Sequence, residues 1–131
     1  MTMSSPHAVH WFELPANDLD RAFRFYSTVL NGHVRMGTFG GAPLVLFDVP
    51  FGTGEAIGGS IVRREGFTPG ADGAMLYLNI FGRLDAAVAR VADAGGVVLV
   101  PLVPLGVFGT AAIILDSEGN RVGLLEPPAH G

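Results

Sequence analysis

Few side chains in this sequence could do chemistry, and the residue types that are absent exclude several reactions. The 131 residues contain no cysteine, and all eight basic residues are arginine. Thiol nucleophiles, disulfides, cysteine zinc sites, Schiff-base lysines and P-loop lysines are therefore excluded. Histidines, carboxylates and hydroxyls remain as groups that could bind a metal ion or move a proton.

Glu13 is the carboxylate best placed for acid–base chemistry, because it alternates with Trp11 along a predicted strand. Desolvation beside apolar neighbours would let Glu13 serve as a general base. The alternative is a structural ion pair between Glu13 and an arginine, with Arg63 or Arg121 as the partner. Ser60 has no histidine and acid spaced around it as a hydrolase triad requires.

The periodicity of the first half predicts one strand, one helix and three further strands. Residues 9–15 alternate as a strand, and Asn17-Asp18 can cap the helix that follows. Asn31-Gly32 ends that helix, and strand candidates follow at 33–38, 44–49 and 57–64. The apolar face of the helix is predicted to comprise Leu19, Ala22, Phe23, Tyr26, Val29 and Leu30.

The second half repeats this order of elements. A strand at 74–80 precedes a helix that stops at Gly95-Gly96, and strand candidates follow at 97–103, 109–115 and 121–125. The apolar face of this helix is predicted to comprise Leu84, Ala87, Val88, Val91 and Ala92. We therefore predict one α+β domain over residues 1–131, built from two βαβββ modules at 7–66 and 73–127.

Strand alternation predicts which side chains face away from the helices. In the first strand Phe12 and Leu14 should pack on the helix, which leaves Trp11 and Glu13 on the opposite face. In the fifth strand Leu76, Leu78 and Ile80 should pack on the helix, which leaves Met75, Tyr77 and Asn79 opposite. Such a mixed lining suits a small-molecule cavity between two curved sheets, and the alternative is an ordinary core.

Composition and charge limit the partners. A net charge of -4 argues against a nucleic-acid partner, which would need a basic face. The first six residues lack the charged start and apolar run of a signal peptide, and no apolar stretch approaches the ~20 residues of a membrane helix. We expect a soluble cytoplasmic protein with no membrane partner.

Several segments resemble the vicinal oxygen chelate superfamily, which includes glyoxalase I, bleomycin-resistance proteins and extradiol dioxygenases. The resemblance spans about residues 7–127 and implies paired βαβββ modules forming curved mixed sheets around a cavity, often in homodimers. The segments that carry it are Glu13–Tyr26, Leu30–Gly32, Gly58-Gly59, Ala86–Gly96 and Asp116–Glu126.

Members of the superfamily that are metalloenzymes hold a divalent ion with one His, Gln or Glu on each of four strands. Carried over to this sequence, those positions are Trp11, Gly59 or Ser60, Met75 and Gly123. None of these is a usual ligand, so the resemblance predicts the fold while the residues argue against a metal cofactor.

The four histidines do not replace the missing ligands. His7 and His130 lie near the chain ends, and His33 begins a strand after the helix. His10 points away from the face of Trp11, unless the strand register shifts by one residue. We expect all four to be structural or surface residues.

Three hypotheses follow. The first is a metal-free, cofactor-free protein that binds an apolar or aromatic small molecule and forms a homodimer. Its expected ligand-binding residues are Trp11, Glu13, Met75, Tyr77, Asn79 and Arg121. The second is an enzyme related to lactoylglutathione lyase, of lyase, isomerase or dioxygenase type, with Glu13 as base. The third is an assembly unit whose cavity has collapsed.

Overall fold

The computed structural model describes residues 7–50 and 56–128. The predictions made for the first six residues and for His130 lie outside this part of the chain. The first module comprises β1 (Trp11–Pro15), α1 (Leu19–Val29), β2 (Val34–Phe39), β3 (Ala42–Phe47) and β4 (Gly58–Val62). The second comprises β5 (Tyr77–Asn79), α2 (Leu84–Val91), β6 (Val97–Pro104), β7 (Thr110–Leu115) and β8 (Arg121–Glu126), with a short 3-10 helix at Gly106–Phe108.

Each module forms an open, mixed four-stranded sheet. The strand order is β1-β4-β3-β2 in the first sheet and β5-β8-β7-β6 in the second. β1 runs parallel to β4 and β5 runs parallel to β8, whereas the remaining pairs are antiparallel. The predicted α+β class with two βαβββ modules is confirmed, and neither sheet closes on itself.

Helix α1 begins and ends where the sequence predicts, but it buries a wider face. The Asp18 side chain caps it by accepting a hydrogen bond from the Arg21 backbone N–H at 3.0 Å. Asn31 and Gly32 follow it with positive φ angles of 54° and 88°. Phe25, absent from the predicted apolar face, is fully buried.

The reason for the burial of Phe25 is contact with the second module. A Cβ atom added at Gly96 would lie 2.6 Å from the Phe25 ring and 2.9 Å from the Val91 side chain. The helix is therefore covered on two sides, by its own sheet and by the other module. The predicted apolar face took into account only the sheet of the first module, and it therefore missed Phe25.

Helix α2 is shorter and matches the prediction more closely. Leu84, Ala87 and Val91 are buried, and Val88 packs against the same core. Ala92, which was placed on the same face, is exposed, because it follows the last helical residue. No helix in the described ranges is both long and apolar enough to cross a lipid bilayer.

A buried polar cluster joins the modules. The Tyr26 hydroxyl on α1 donates to Asp116 Oδ2 at 2.6 Å, across the module boundary. The Asn120 side-chain amide donates to the Pro15 carbonyl at the end of β1 (2.8 Å) and to Asp116 Oδ2 (3.0 Å). The turn that carries Asp116 and Asn120 joins β7 to β8, as predicted from its sequence, and it anchors the second module on the first.

An ion pair between a half-exposed arginine and a buried carboxylate reinforces this junction. Glu118 Oε1 accepts the backbone N–H groups of Asn17 and Asp18, at 2.9 and 3.0 Å, and its carboxylate pairs with Arg21. Partial burial works to raise the pKa of Glu118, but the hydrogen bonds from Arg21 and from the two backbone N–H groups outweigh it and lower that pKa. The folded structure therefore stabilises the charged form of Glu118.

We expect Tyr26→Phe to lower the free energy of unfolding by about 1–2 kcal/mol, because Asp116 loses one of its buried donors. Burial, together with the charge and hydrogen bond of Asp116, raises the pKa of Tyr26 well above its ordinary value of 10.0. Above about pH 10 the Tyr26 phenol loses its proton in the unfolded chain but keeps it in the folded chain. The contribution of Tyr26 to the free energy of unfolding is therefore fully present below about pH 10. It falls as the pH rises further, by up to about 1.4 kcal/mol per pH unit.

Urea unfolding between about pH 8 and about pH 11 measures both the loss of stability in Tyr26→Phe and the alkaline decline. Tyr26→Phe should lose most of the alkaline decline, and Tyr77→Phe serves as the matched control because Tyr77 is exposed. Equal alkaline declines in the wild type and in Tyr26→Phe would contradict the assignment.

Candidate functional site

The open face of the first sheet carries the side chains that were predicted to turn away from the helix. Leu14 is buried and Phe12 packs against the core, while Trp11 and Glu13 are exposed on the other face. The parallel register pairs Glu13 with Ser60 of β4. Ser60 is buried, and its Oγ accepts a hydrogen bond from Trp11 Nε1 at 3.4 Å.

This face contains a pocket of about 490 Å³, hereafter the sheet-face pocket. Its lining is mostly apolar, with Glu13, Thr38 and Ser60 as polar groups. The lining residues are Trp11, Glu13, Thr38, Phe39, Leu44, Leu46 and Ser60. A volume of this size and a lining with few polar groups are typical of small-molecule sites.

Sequence reasoning missed the contributions of β2 and β3 to this pocket. Leu46 pairs with Ser60 across the β3–β4 ladder, and Leu44 lies two residues back on the same face. Phe39 ends β2 and is 81% exposed, so its ring forms part of the rim. Alternation within each strand could have placed these residues on one face, but only the register between strands brings them to Trp11.

Glu13 is held by an arginine, although not by either of the two expected. Arg64 Nη2 donates to both Glu13 carboxylate oxygens at 2.8 Å, and Nη1 donates to Oε1 at 3.1 Å. The expected partner Arg63 instead donates from Nε to the Asn17 carbonyl at 3.1 Å, and Arg121 lies in the other module. The prediction of Arg63 or Arg121 was therefore wrong.

Alternation explains this choice of partner. Ser60 faces the same side as Glu13, and residues 62 and 64 follow on that side, whereas Arg63 points the other way. The side chains of Arg64 and Glu13 are 51% and 39% exposed, so the pair contributes about 0–1 kcal/mol to stability. The Arg64 guanidinium also lies over the Phe67 ring, 5.4 Å from its centroid.

The second sheet presents Tyr77 and Asn79 on its open face, but away from the sheet-face pocket. Tyr77 pairs with Gly123 of β8, and its ring covers that glycine so closely that a Cβ atom there would overlap the ring. Asn79 Oδ1 accepts a hydrogen bond from the Phe81 backbone N–H at 2.9 Å. Met75 is half-buried before β5 begins, and Arg121 is exposed at the start of β8.

The predicted ligand-binding residues thus fall into two groups. Trp11 and Glu13 meet in the sheet-face pocket. Arg121 shares a different pocket with Glu13, between the modules. Neither pocket is lined by Met75, Tyr77 or Asn79.

The four positions at which the resemblance would place metal ligands offer no suitable donor set. Gly59 pairs with Phe12, and a Cβ atom there would overlap the Phe12 ring, so Ser60 is the β4 residue that faces the pocket. Its hydroxyl is engaged by Trp11, and Gly123 lies under Tyr77. An indole, a hydroxyl, a thioether and a glycine do not fit a divalent metal ion that prefers imidazole and carboxylate ligands.

Other residues do not rebuild such a site. Within residues 7–50 and 56–128 no group of three or more His, Asp or Glu could hold a metal ion. The His33 ring stacks on Phe81 with centroids 4.4 Å apart, and its Nδ1 donates to the Leu30 carbonyl at 2.7 Å. His33 is thus a structural residue, as predicted.

Comparison with known proteins identifies the family. A model described as the Glyoxalase/Bleomycin resistance protein/Dioxygenase superfamily matches residues 8–124, and the chain belongs to that superfamily. No protein of curated function matches the sequence.

Solved structures of other proteins share the fold of this chain. A glyoxalase/bleomycin resistance protein from Albidiferax ferrireducens T118 is 20% identical, with a TM-score of 0.68 over 93% of this chain and 100% of that chain. A glyoxylase/bleomycin resistance protein/dioxygenase domain from Frankia sp. EAN1pec is 18% identical, with a TM-score of 0.65 over 97% and 96%. A glyoxalase-related enzyme from Fulvimarina pelagi is 15% identical, with a TM-score of 0.64 over 89% and 86%.

Proposed function

We propose that this member of the superfamily binds an apolar or aromatic small molecule in the sheet-face pocket without a metal ion. The observation that carries the proposal is the composition of that pocket, in which Trp11, Phe39, Leu44 and Leu46 supply most of the surface. Burial of a ligand ring against such side chains is favoured by about 25 cal/mol for each Å² of apolar surface removed from water. The Ser60 hydroxyl and the Glu13 carboxylate would orient the ligand.

The state of Glu13 supports binding over proton transfer. A general base in this fold would need a desolvated carboxylate with a free oxygen aimed at the substrate. Both oxygens of Glu13 accept hydrogen bonds from Arg64, and the carboxylate is also in contact with solvent. The paired carboxylate keeps lone pairs that can accept a hydrogen bond from a ligand.

The binding proposal is tested with 2-naphthol, an aromatic probe with one hydroxyl group. Its titration should quench the emission of Trp11, the single tryptophan, in a saturable manner and with one site per chain. Phe39→Ser should weaken binding by about three- to tenfold, because the ring at the rim is lost.

Phe108→Ser is the matched control, because Phe108 is also highly exposed, at 73%, and does not line the pocket. Quenching that does not saturate, or equal weakening in the two variants, would overturn the proposal.

The absence of a metal cofactor is tested separately. Protein dialysed against Ni²⁺, Zn²⁺, Mn²⁺ or Fe²⁺ should retain no stoichiometric metal and should keep its melting temperature, because the candidate positions carry no imidazole or carboxylate. Stoichiometric binding with a raised melting temperature would contradict the proposal. Turnover of the methylglyoxal–glutathione adduct that is lost in Glu13→Gln would favour a lyase-related enzyme instead.

We also propose that the chain forms a homodimer through strand β6. This strand is the outer edge of the second sheet, and within residues 7–50 and 56–128 no other strand pairs with its outer side. Its exposed apolar side chains are Val97, Leu99, Val100 and Leu102. Exposed apolar edge strands favour pairing with another chain, and natural proteins usually cover them.

Sedimentation tests the dimer. The molecular mass of the wild type from sedimentation should be about twice the 13.7 kDa of one chain. Leu102→Glu should shift the population to monomer, whereas Met36→Glu, at an exposed apolar position on the first sheet, should not. A wild type that sediments as a monomer would refute this assembly.

A further inference from the structure

A second pocket lies between the modules and is distinct from the sheet-face pocket. It has a volume of about 470 Å³ and is bounded by β1, the start of β8 and the segment 67–76 that connects the modules. The two pockets share a single lining residue, Glu13. We name it the seam pocket, with Phe12, Phe67, Asp72, Leu76, Asn120 and Arg121 among its lining residues.

Hydrogen bonds of Asn120, one buried and one partly buried, connect the walls of the seam pocket. The Asn120 amide donates to the Pro15 carbonyl at 2.8 Å, and its Oδ1 accepts the Gly70 backbone N–H at 3.2 Å. One side chain therefore connects β1, the connecting segment and β8. Phe67 is held in turn by its backbone bridge to Arg64 and by the guanidinium over its ring. A site built in this way needs little reordering when a ligand enters.

The pocket contains two uncompensated charges of opposite sign. Arg121 and Asp72 both line it, and neither side chain has an ion pair or hydrogen bond within the described chain. Glu13 contributes no net charge, because Arg64 neutralises it. Phe12, Phe67 and Leu76 contribute apolar surface from their rings and aliphatic groups.

We propose that the seam pocket is a second ligand site, and that it takes a small zwitterion with an apolar body. The ligand carboxylate would pair with the Arg121 guanidinium, whose planar fork matches two carboxylate oxygens. The ligand ammonium group would pair with Asp72, and the apolar body would lie on the ring of Phe67 or Phe12. A simple anion would face repulsion from Asp72, and a simple cation would face repulsion from Arg121. An aromatic amino acid and a short apolar peptide both have this chemistry.

Calorimetry with a set of matched ligands tests the charge requirement in the wild type. L-phenylalanine should bind about tenfold more tightly than N-acetyl-phenylalanine, which lacks the ammonium group. It should bind more tightly than phenylalaninamide, which lacks the carboxylate, by a similar factor. Glycylphenylalanine, in which the two charges are further apart, distinguishes an amino acid from a peptide as the source. Equal binding of all ligands, or no binding of either zwitterion up to about 10 mM, would overturn the proposal.

Variants then assign each charge to its residue. Arg121→Gln should remove the advantage of L-phenylalanine over phenylalaninamide, and Asp72→Asn should remove its advantage over N-acetyl-phenylalanine. Arg24→Gln and Asp93→Asn are the controls, because they make the same changes at exposed charges outside the pocket. If the controls change affinity as much as the pocket variants do, the assignment is wrong.

A competition experiment separates this site from the sheet-face pocket. Saturating L-phenylalanine should leave the quenching of Trp11 by 2-naphthol unchanged, since Trp11 does not line the seam pocket. Displacement of 2-naphthol would place both ligands in one pocket and would refute a second site. Failure of 2-naphthol to bind leaves the calorimetric test unaffected.

Discussion

The buried carboxylate of Asp116 is the group on which the arrangement of the two modules depends. It is 4% exposed and accepts hydrogen bonds from the Tyr26 hydroxyl, the Asn120 side chain and the backbone N–H groups of Glu118 and Asn120. A buried charge without such donors would cost several kcal/mol. Because Tyr26 comes from the first module and the remaining donors from the second, these bonds can be satisfied together only when the modules are docked.

The two pockets depend on this docking to different degrees. The sheet-face pocket needs only the first sheet, whose register brings Leu46 to Ser60 and Glu13. The seam pocket needs both modules, since Asn120 and Arg121 come from the second and β1 from the first. The Tyr77 ring covers Gly123, so the second sheet presents an aromatic surface where the resemblance would place a metal ligand.

Local patterns in the sequence predict the features that depend on nearby residues, such as the faces of a strand and the ends of a helix. The alternation of β1 placed Trp11 and Glu13 correctly, and Asp18 and Asn31-Gly32 marked the ends of α1. The same alternation, continued past β4, would have selected Arg64 in place of Arg63. Phe25 and the pocket residues Phe39 and Leu46 depend instead on contacts between distant segments, which a single strand or helix does not reveal. The hydrogen bonds of Glu13 also depend on a distant residue, because its arginine lies 51 positions away.

The positions of β1 and β5 in their sheets have a mechanical consequence. Each is an edge strand, and no backbone ladder joins the two sheets in the described part of the chain. The modules are therefore joined by side chains, those of the shared apolar core and those of the β7–β8 turn, which help to set the gap between the two sheets. A change of side-chain size in that turn would widen or narrow the gap as a whole while each sheet kept its own hydrogen bonds. The distance between the two sheets thus depends in part on a few consecutive residues of one turn.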